Sequence, residues 1–339
     1  MPANLTPEYK AAETAFRKAR DPHERLECLR EMLRTIPKHK GTDHLQADIK
    51  RWIKELADAV EAPKKGGARS GPALVIRPEG AAQIALIGAP NTGKSSLHAR
   101  LTGSNAHVAA YPFTTLYPEP GMMPYQDIHF QLVDLPALSR EHPVSWIAST
   151  LMNADAALLV ADLGHPECVE EVQTVHEILR ERRVTLTACW PFSGDGATGE
   201  PDADPFSRPL PALLLANKTE RIADPDAELR AFRELTGLRY PAFAVSAATG
   251  QGLGELGGWL FRNLGIVRVY TKQPGKPPEK DRPFTLRRGQ TVEDVARLVH
   301  RDLARSLHHA RVWGKAAFDA QQVGREHPVE DGDIVELHP

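Results

Sequence analysis

The stretch GAPNTGKSS, residues 88–96, carries glycine, lysine and serine at the spacing of a phosphate-binding loop. Glycines let the backbone wrap closely around phosphates, while the loop N–H groups and the following helix N-terminus supply positive potential. Lys94 adds a charge for the β- and γ-phosphates, and Ser95 supplies a hydroxyl for Mg²⁺. The motif follows a strand-like run and precedes the helical stretch SSLHARL, which is the context it requires. The predicted nucleoside triphosphate contacts are Gly88, Ala89, Pro90, Asn91, Thr92, Gly93, Lys94, Ser95 and Ser96.

A carboxylate follows forty positions after Lys94. Asp134 ends the apolar run HFQLV, where a second Mg²⁺-directed group belongs in this kind of site. An aspartate at a strand end is by itself more often a cap or turn residue. With the phosphate loop in place, a metal role for Asp134 is favoured.

Two further polar segments follow strand-like runs and predict a base site. Asn217, Lys218 and Glu220 come directly after ALLLA, and the segment Ser246-Ala247-Ala248 comes after AFAV. An acidic group such as Glu220 can accept hydrogen bonds from both N1–H and the 2-amino group of guanine, which adenine does not offer. A site built on such buried bonds discriminates strongly between bases.

The elements that must position these groups follow an α/β pattern. Short apolar runs alternate with helical patterns along residues 74–266: QIALIGA, HFQLVDL, AALLVADL, ALLLAN and AFAVSA. Continuous apolar strands separated by helices indicate a parallel sheet covered on both faces. The Pro-, Gly- and Asp-rich stretch at 189–211 breaks this rhythm and is predicted to be a surface loop.

The flanking regions predict two smaller domains. In residues 1–66, Asp21-Pro22 starts a helix, and a second helix begins near Thr42, so an αα-hairpin is expected with Lys38, His39 and Lys40 at its tip. The composition of residues 62–72 is typical of a linker. Over residues 267–339, strand-like and helical runs alternate as β-β-α-β-β, which predicts a small α+β domain.

Composition narrows the class of protein. The chain has 339 residues, of which 41% are hydrophobic and 25% charged, with a net charge of −2. No apolar run approaches the ~20 residues that span a bilayer, and the first residues lack the apolar core of a signal peptide. Cys28, Cys168 and Cys189 form no C-x-x-C pair. We therefore expect a cytoplasmic protein without a membrane role, a disulfide framework or a zinc site.

These motifs together resemble the Obg superfamily of GTPases, and most closely its DRG (developmentally regulated GTP-binding) family. The resemblance is carried by GAPNTGKSS, YPFTTLYPEPG at 111–121, VDLP, NKTE and SAATGQG. VRVYTK, TVEDVARLVH, ARVWG, QQVG and VEDGDIVEL resemble that family's TGS domain, a small β-grasp module, and KHKGTDHLQADIKRWIKEL resembles its N-terminal helical segment. The implied fold is a P-loop NTPase (G domain) core between a helical hairpin and a C-terminal TGS domain.

The resemblance also implies ligands and partners. The resemblance makes Thr115, in preference to Thr114, the Mg²⁺ ligand of the first switch, the stretch at 111–121. Asn91 matches the phosphate-loop asparagine that helps hold K⁺ near the phosphates in related GTPases. A K⁺ ion there can neutralise transition-state charge, the task of an arginine finger elsewhere. Family membership implies GTP and Mg²⁺ as ligands and the ribosome or structured RNA as a partner, and a protein cofactor is compatible with it.

Leu138 occupies the place of the water-orienting glutamine of Ras-like switches, as an apolar residue commonly does in this superfamily. Three departures from the family pattern bear on activity. Ala137 stands where the family has glycine, which keeps the N–H group but restricts the backbone. Glu220 replaces the usual aspartate and is one methylene longer. The domain that the family inserts into its G domain is reduced here to the loop at 189–211.

Three readings remain open from the sequence. The first is a slow, Mg²⁺-dependent and K⁺-stimulated GTPase that acts as a switch on a ribosome or RNA. The second is an ATPase, because a related TGS-containing branch has glutamate at the place of Glu220, although it lacks Lys218. The third is a scaffold in which nucleotide only stabilises the fold. The candidate RNA-contacting residues are Lys38, His39, Lys40, Lys50, Arg51, Lys54, Arg287, Arg288, Arg297, Arg301 and Arg305.

Overall fold

The computed structural model describes residues 6–19, 22–37, 42, 46, 49–50, 53, 76–104, 117–141, 143–144, 146–193, 207–314 and 319–339. These residues fall into two compact units, the N-terminal helices and the remainder with its two β-sheets. Within the described segments, no helix has the length and apolar character that crossing a bilayer requires.

The N-terminal unit is built on two packed helices, α1 (Pro7–Lys18) and α2 (Pro22–Thr35). Helix α1 is an addition to the two predicted helices; Thr6 caps it by accepting a hydrogen bond from the Tyr9 N–H, with proline in the first turn. Helix α2 begins at Pro22 as predicted. The buried core of this unit comprises Tyr9, Ala12, Phe16, Leu29, Met32, Ile36 and Ile49. Most of the second predicted helix and the tip of the hairpin lie outside the described residues.

The first sheet of the second unit has seven strands in the order β2-β3-β1-β4-β6-β5, with β7 paired to β6. The strands are β1 (Gln83–Ile87), β2 (Glu119–Tyr125), β3 (Ile128–Asp134), β4 (Ala156–Asp162), β5 (Val184–Thr187), β6 (Arg208–Asn217) and β7 (Ala242–Ala244). Strands β3, β1, β4, β6 and β7 run parallel, as the apolar runs predict. The carboxyl ends of these strands therefore meet at one edge.

Helices cover this sheet on both faces. The helices around this sheet are α3 (Lys94–Thr102), α4 (Ile147–Leu151), α5 (Cys168–Glu181), α6 (Pro225–Thr236) and α7 (Leu256–Asn263). Alternate residues of one strand enter opposite cores: Ala85 packs with α4, α5 and α6, whereas Ile84 packs with α3 and α7. This two-sided burial is why the strands are apolar throughout.

Two parts of this unit differ from the sequence expectation. Strand β2 has the sequence EPGMMPY, whose prolines argue against a central strand, and it lies at the sheet edge, antiparallel to β3. The stretch 189–211 is not a surface loop throughout. Trp190 is buried against Trp259, with ring centroids 4.5 Å apart, and β6 already begins at Arg208. Residues 194–206 lie outside the described part.

The second sheet has five strands in the order β11-β10-β12-β8-β9. Its elements are β8 (Ile266–Lys272), β9 (Glu279–Arg287), α8 (Val292–Val299), α9 (Arg301–Ser306), β10 (His309–Trp313), β11 (Gln321–Val323) and β12 (Asp333–His338). The predicted helical segment is divided at His300, which has an extended backbone (φ −163°) and caps α9 by accepting the Asp302 N–H. A mixed α+β arrangement is observed as predicted, with one additional short strand, β11.

The two sheets meet at the amino-terminal edge of the first. Arg268 on β8 donates to Gln126 and Asp127 in the β2–β3 turn, at 2.6 and 2.9 Å. Arg287 on β9 pairs with Asp155, which directly precedes β4, at 3.0 Å. The predicted functional segments lie at the opposite, carboxyl edge of the first sheet.

Candidate nucleotide-binding site

The predicted phosphate loop joins the buried strand β1 to helix α3. Its backbone needs left-handed conformations: Asn91 has φ 60° and Gly93 has φ 92°. A Cβ on Gly93 would lie 2.3 Å from the Asn217 side-chain nitrogen, so only glycine fits there. Asparagine tolerates the left-handed region better than most residues, and Asn91 is exposed on the loop.

Lys94 lies beneath this loop in a buried position, with 6% of its surface exposed. Its ammonium donates to the Ala89 carbonyl at 2.7 Å. Burial lowers the pKa of Lys94 to about 8, and the carboxylates of Asp134 and Glu171 oppose that shift. A desolvated cation held by the loop is well suited to an incoming polyanion, because a bound anion would offset its burial.

The structure brings together Ser95 and Asp134, the two residues predicted to face Mg²⁺. The Ser95 hydroxyl donates to Asp134 Oδ2 at 2.6 Å, although the two residues lie 39 positions apart. Asp134 is 1% exposed at the end of β3. A hydroxyl and a carboxylate oxygen in contact, beside a phosphate loop, are the hard oxygen donors that Mg²⁺ prefers. The residues present therefore fit a magnesium ion.

Asn217 joins the phosphate loop to the predicted base segments. Its side chain donates to the Thr92 carbonyl at 2.9 Å and accepts the Ala247 N–H at 3.0 Å. Asn217 is 1% exposed, so both bonds form away from water. The sequence predicts these segments at one edge of the sheet, and the structure brings them together through this one amide.

Lys218 follows in a left-handed conformation with φ 63° and pairs with Asp162, Nζ to Oδ2, at 2.7 Å. Sequence reasoning missed Asp162, although its place as the acid at the end of β4 resembles the place of Asp134 on β3. Glu220 keeps 26% of its side chain exposed, and its Oε1 lies 3.9 Å from Arg221 Nε. The Glu220 carboxylate is therefore partly accessible.

The segment Ser246-Ala247-Ala248 opens a closed turn, residues 246–251, which we call the base loop. Ser246 is fully buried; its N–H donates to the Gln251 carbonyl at 3.0 Å, and its hydroxyl accepts the Thr249 N–H at 3.1 Å. Ala248 is exposed. The structure thus places Ser246, Ala247 and Ala248 in a hydrogen-bonded turn next to Asn217.

The segment after Asp134 lies against the phosphate loop. The Leu138 N–H donates to the Gly88 carbonyl at 3.1 Å, and the Leu138 side chain is buried in the sheet core. Ala137 is 8% exposed and keeps a negative φ. The Leu138 side chain therefore extends no polar group toward the phosphate loop. Thr114 and Thr115 lie outside the described residues, so their predicted role stays a prediction.

The predicted basic surfaces are less open than their sequence suggests. Arg287 pairs with Asp155, Arg297 pairs with Glu293 and Asp294, and the Arg288 guanidinium lies 5.4 Å from the Phe192 ring. Arg305 lies 4.0 Å from Asp302, with both side chains exposed. Lys50 is exposed on the N-terminal unit. The other predicted basic residues there, Lys38, His39, Lys40, Arg51 and Lys54, fall outside the described part.

Comparison with known proteins agrees with this geometry. Residues 83–189 match the family described as 50S ribosome-binding GTPases, and residues 267–338 match the TGS domain. A GTP-binding protein of Methanocaldococcus jannaschii is 29% identical over 93% of this chain and 92% of its own length. Developmentally-regulated G-protein 2 of Arabidopsis thaliana is 28% identical over 91% and 88%. The human developmentally-regulated GTP-binding protein 2 is 26% identical over 92% and 97%.

Among solved structures, the YchF GTPase of Schizosaccharomyces pombe aligns with a TM-score of 0.51 and 14% identity, covering 78% of this chain and 100% of that one. This likeness concerns the fold alone. The resemblance stated from the sequence motifs, the P-loop GTPase core and the C-terminal TGS domain are confirmed by the family matches. The chain is thus a GTP-binding protein that is similar over more than 90% of its length to the developmentally regulated GTP-binding proteins, with a GTPase domain followed by a TGS domain.

Proposed function

We propose that this chain hydrolyses GTP to GDP as a slow, Mg²⁺-dependent and K⁺-stimulated switch acting on the ribosome or structured RNA in the cytoplasm. The observation that carries the proposal is the buried Lys94 ammonium beneath the phosphate loop, beside the Ser95–Asp134 pair at 2.6 Å. A cation and two oxygen donors converge where the β- and γ-phosphates and their metal ion belong.

The phosphates are bound by the loop from Gly88 to Ser96, which includes the Lys94 side chain. Ser95 and Thr115 of the first switch would hold Mg²⁺, with Asp134 acting through water. The bound ion would supply positive charge that offsets the negative charge developing on the phosphates during transfer. The protein side chains position the phosphates and exclude water from the buried lysine, since phosphoryl transfer depends mainly on positioning and electrostatics.

The guanine base is recognised by Asn217, Lys218 and Glu220 together with the base loop. Because Asn217 is bonded to both the phosphate loop and Ala247, base and phosphates meet a single connected surface. The exposed Glu220 carboxylate is available to accept the two guanine donors, and Ser246, Ala247 and Ala248 shape the turn around the base.

The low rate of GTP hydrolysis follows from the segment after Asp134, which is the second switch by family resemblance. The Leu138 side chain is buried, so from this position it offers no polar group to orient water. Asn91 lies on the loop where a monovalent cation can replace an arginine finger, and its exposed side chain is free of the core. Water orientation then depends on another group or on a partner protein.

The ribosome or RNA proposal is supported by the description of the matched GTPase family as 50S ribosome-binding and by the TGS domain at the carboxyl end. Arg301 and Arg305 lie on the exposed side of α9, away from the core of that domain. The contacts expected with RNA are electrostatic, so the association should weaken with salt.

Affinities for GTP, GDP and ATP, measured with fluorescent analogues and followed by single-turnover hydrolysis, test the nucleotide assignment. GTP and GDP should bind, ATP should bind far more weakly, and Lys94→Ala should abolish triphosphate binding. Arg230→Ala on the exposed face of α6 is a matched control. Unchanged GTP affinity in Lys94→Ala would refute the phosphate-loop assignment. Tight ATP binding would favour the ATPase, and binding without hydrolysis would favour the scaffold.

Co-sedimentation of the full chain with ribosomes tests the partner. The chain should pellet more with a non-hydrolysable GTP analogue than with GDP, because only the triphosphate holds the switches in place. The difference should shrink between low and high salt. A double substitution of Arg301 and Arg305 by glutamate should weaken the association, whereas no association at low salt in either nucleotide state contradicts the proposal.

A further inference from the structure

Arg100 lies in the last turn of α3, the helix that begins at Lys94. Its guanidinium donates to the Thr249 carbonyl at 2.9 Å and to the Ala248 carbonyl at 3.5 Å. Both acceptors belong to the base loop, 148 to 149 positions further along the chain. The same guanidinium lies over Gly250, where a Cβ would come within 2.6 Å of Arg100 Nη2.

The base loop is hydrogen-bonded to other elements at two places. At its start, Ala247 is tied to Asn217. Around Thr249 and Gly250, the other bonds found among the described residues are local: the Thr249 N–H donates to the Ser246 hydroxyl and the Gly250 N–H to the Ser246 carbonyl. Arg100 therefore supplies the tie between this outer half of the loop and another element.

These contacts act on the same peptide groups that close the turn. The Ala248 carbonyl shares its peptide unit with the Thr249 N–H, and the Thr249 carbonyl shares its unit with the Gly250 N–H. A cation at both carbonyls polarises both units and strengthens the bonds to Ser246, since hydrogen bonds in a chain reinforce one another. Ala248 and Thr249 are exposed, and without Arg100 this half of the loop would have more conformations to lose on binding a base.

We infer that Arg100 is a positioning residue for guanine recognition, which fixes the base loop to the helix that carries the phosphate loop. This inference rests on the proposed function. From Lys94 to Arg100 the helix rises about 9 Å, so one rigid element spans the phosphate and base sides of the site. Arg100 touches neither the phosphates nor the reacting atoms, and it acts through the loop that it holds.

Arg100→Ala and Arg100→Lys in the full chain test the inference, with Arg230→Ala as the matched control on an exposed helix face. Dissociation of fluorescent GDP, affinities for GDP and for inosine diphosphate (which lacks the 2-amino group), and single-turnover hydrolysis of bound GTP are measured. Arg100→Ala should release GDP about three- to tenfold faster, as expected for one or two exposed charge-assisted bonds. It should also reduce the preference for GDP over inosine diphosphate, while the hydrolysis rate of bound GTP stays within about twofold.

Arg100→Lys should recover part of both effects, because an ammonium can still donate to one of the two carbonyls. Wild-type dissociation and an unchanged base preference in Arg100→Ala would overturn the inference. The inference would also be overturned if Arg100→Ala lost enough thermal stability to account for the faster dissociation and Arg100→Lys did not restore that stability. If the wild-type chain itself bound no guanine nucleotide, the proposed function would fail, and that result is separate from any difference between the variants.

Discussion

The Arg268 guanidinium donates to the Asp127 carboxylate at 2.9 Å and thereby joins the TGS sheet to the turn between β2 and β3 of the GTPase domain. Tyr270 donates to the other oxygen of Asp127, and Arg268 makes two further bonds to Asp331 at 2.9 and 2.8 Å. The side chains of Arg268 and Asp127 are only 18% and 25% exposed, respectively. This partly desolvated network is the polar centre of the contact between the two sheets.

Asp127→Asn should destabilise the folded chain by about 1.5–3 kcal/mol, the range for losing a hydrogen bond to a charged group. The free energy of unfolding, from denaturant titration at neutral pH, measures the effect. Asp281→Asn is a suitable control, because Asp281 is exposed on the same domain. Equal destabilisation by both variants would mean that the Arg268–Asp127 pair adds nothing specific.

The same pair predicts a dependence on pH. Burial raises the pKa of Asp127, but the hydrogen bonds from Tyr270 and Arg268 outweigh it, so the pKa lies below its usual value. A carboxyl with a lowered folded-state pKa contributes stability that is present above its unfolded-state pKa and is lost as pH falls through the folded-state value. The gap between wild type and Asp127→Asn should therefore close on acidification below about pH 4. A gap of constant size would show that the charge is not its source.

The fold could be predicted where one principle dominates. Strand β4 is continuously apolar because helices bury both of its faces, so its sequence alone identifies it. Strand β2 could not be identified in this way, since Pro120, Gly121 and Pro124 weaken any strand pattern. It forms because β3 offers a ladder partner from Glu119 to Tyr125, and that pairing is not visible locally.

The residues of the candidate site likewise divide into those that a local motif identifies and those that only the fold brings into place. Lys94, Ser95 and Asn217 belong to local motifs whose spacing carries their chemistry, and the structure brings these motifs together. Asp162 and Arg100 belong to no motif; each matters because folding brings it to a distant partner, Lys218 in one case and the base loop in the other. Such long-range pairs require the sheet order, which one sequence does not specify.

Glu220 should determine base choice. Glu220→Ala should weaken GTP binding on the order of tenfold to a hundredfold, because two charge-assisted bonds to guanine are lost, and should bring GTP and ATP affinities close together. Glu220→Asp should keep or sharpen the preference for GTP. Competition titrations with both nucleotides measure the ratio, and Glu228→Ala on α6 is the control. Equal discrimination by wild type and Glu220→Ala would contradict this role.

Asn91 should confer dependence on the monovalent cation. Replacing Na⁺ by K⁺ at constant ionic strength should raise the single-turnover rate by roughly an order of magnitude or more, below the ~10³–10⁵ that an arginine finger supplies. Asn91→Gly should remove the difference without strain, because Asn91 has φ 60°. Asn91→Ala removes the same side chain but adds backbone strain. If only the alanine variant lost the response, the cause would be the backbone and not a K⁺ ligand.

Ala137→Gly should speed hydrolysis or favour triphosphate over diphosphate, by a few-fold at most. In the structure Ala137 keeps a negative φ, and the next residue, Leu138, is bonded through its N–H to Gly88. For the Ala137 N–H to reach a γ-phosphate, this segment must change its backbone, and glycine has more backbone states available than alanine. The effect is modest because the donating group is the same in both proteins. Single-turnover rates and the ratio of GTP to GDP affinities measure it, with thermal unfolding as the control for folding. A glycine variant that folds normally but hydrolyses GTP more slowly would mean that alanine is suited to this switch, and that its missing glycine is not the reason for a low rate.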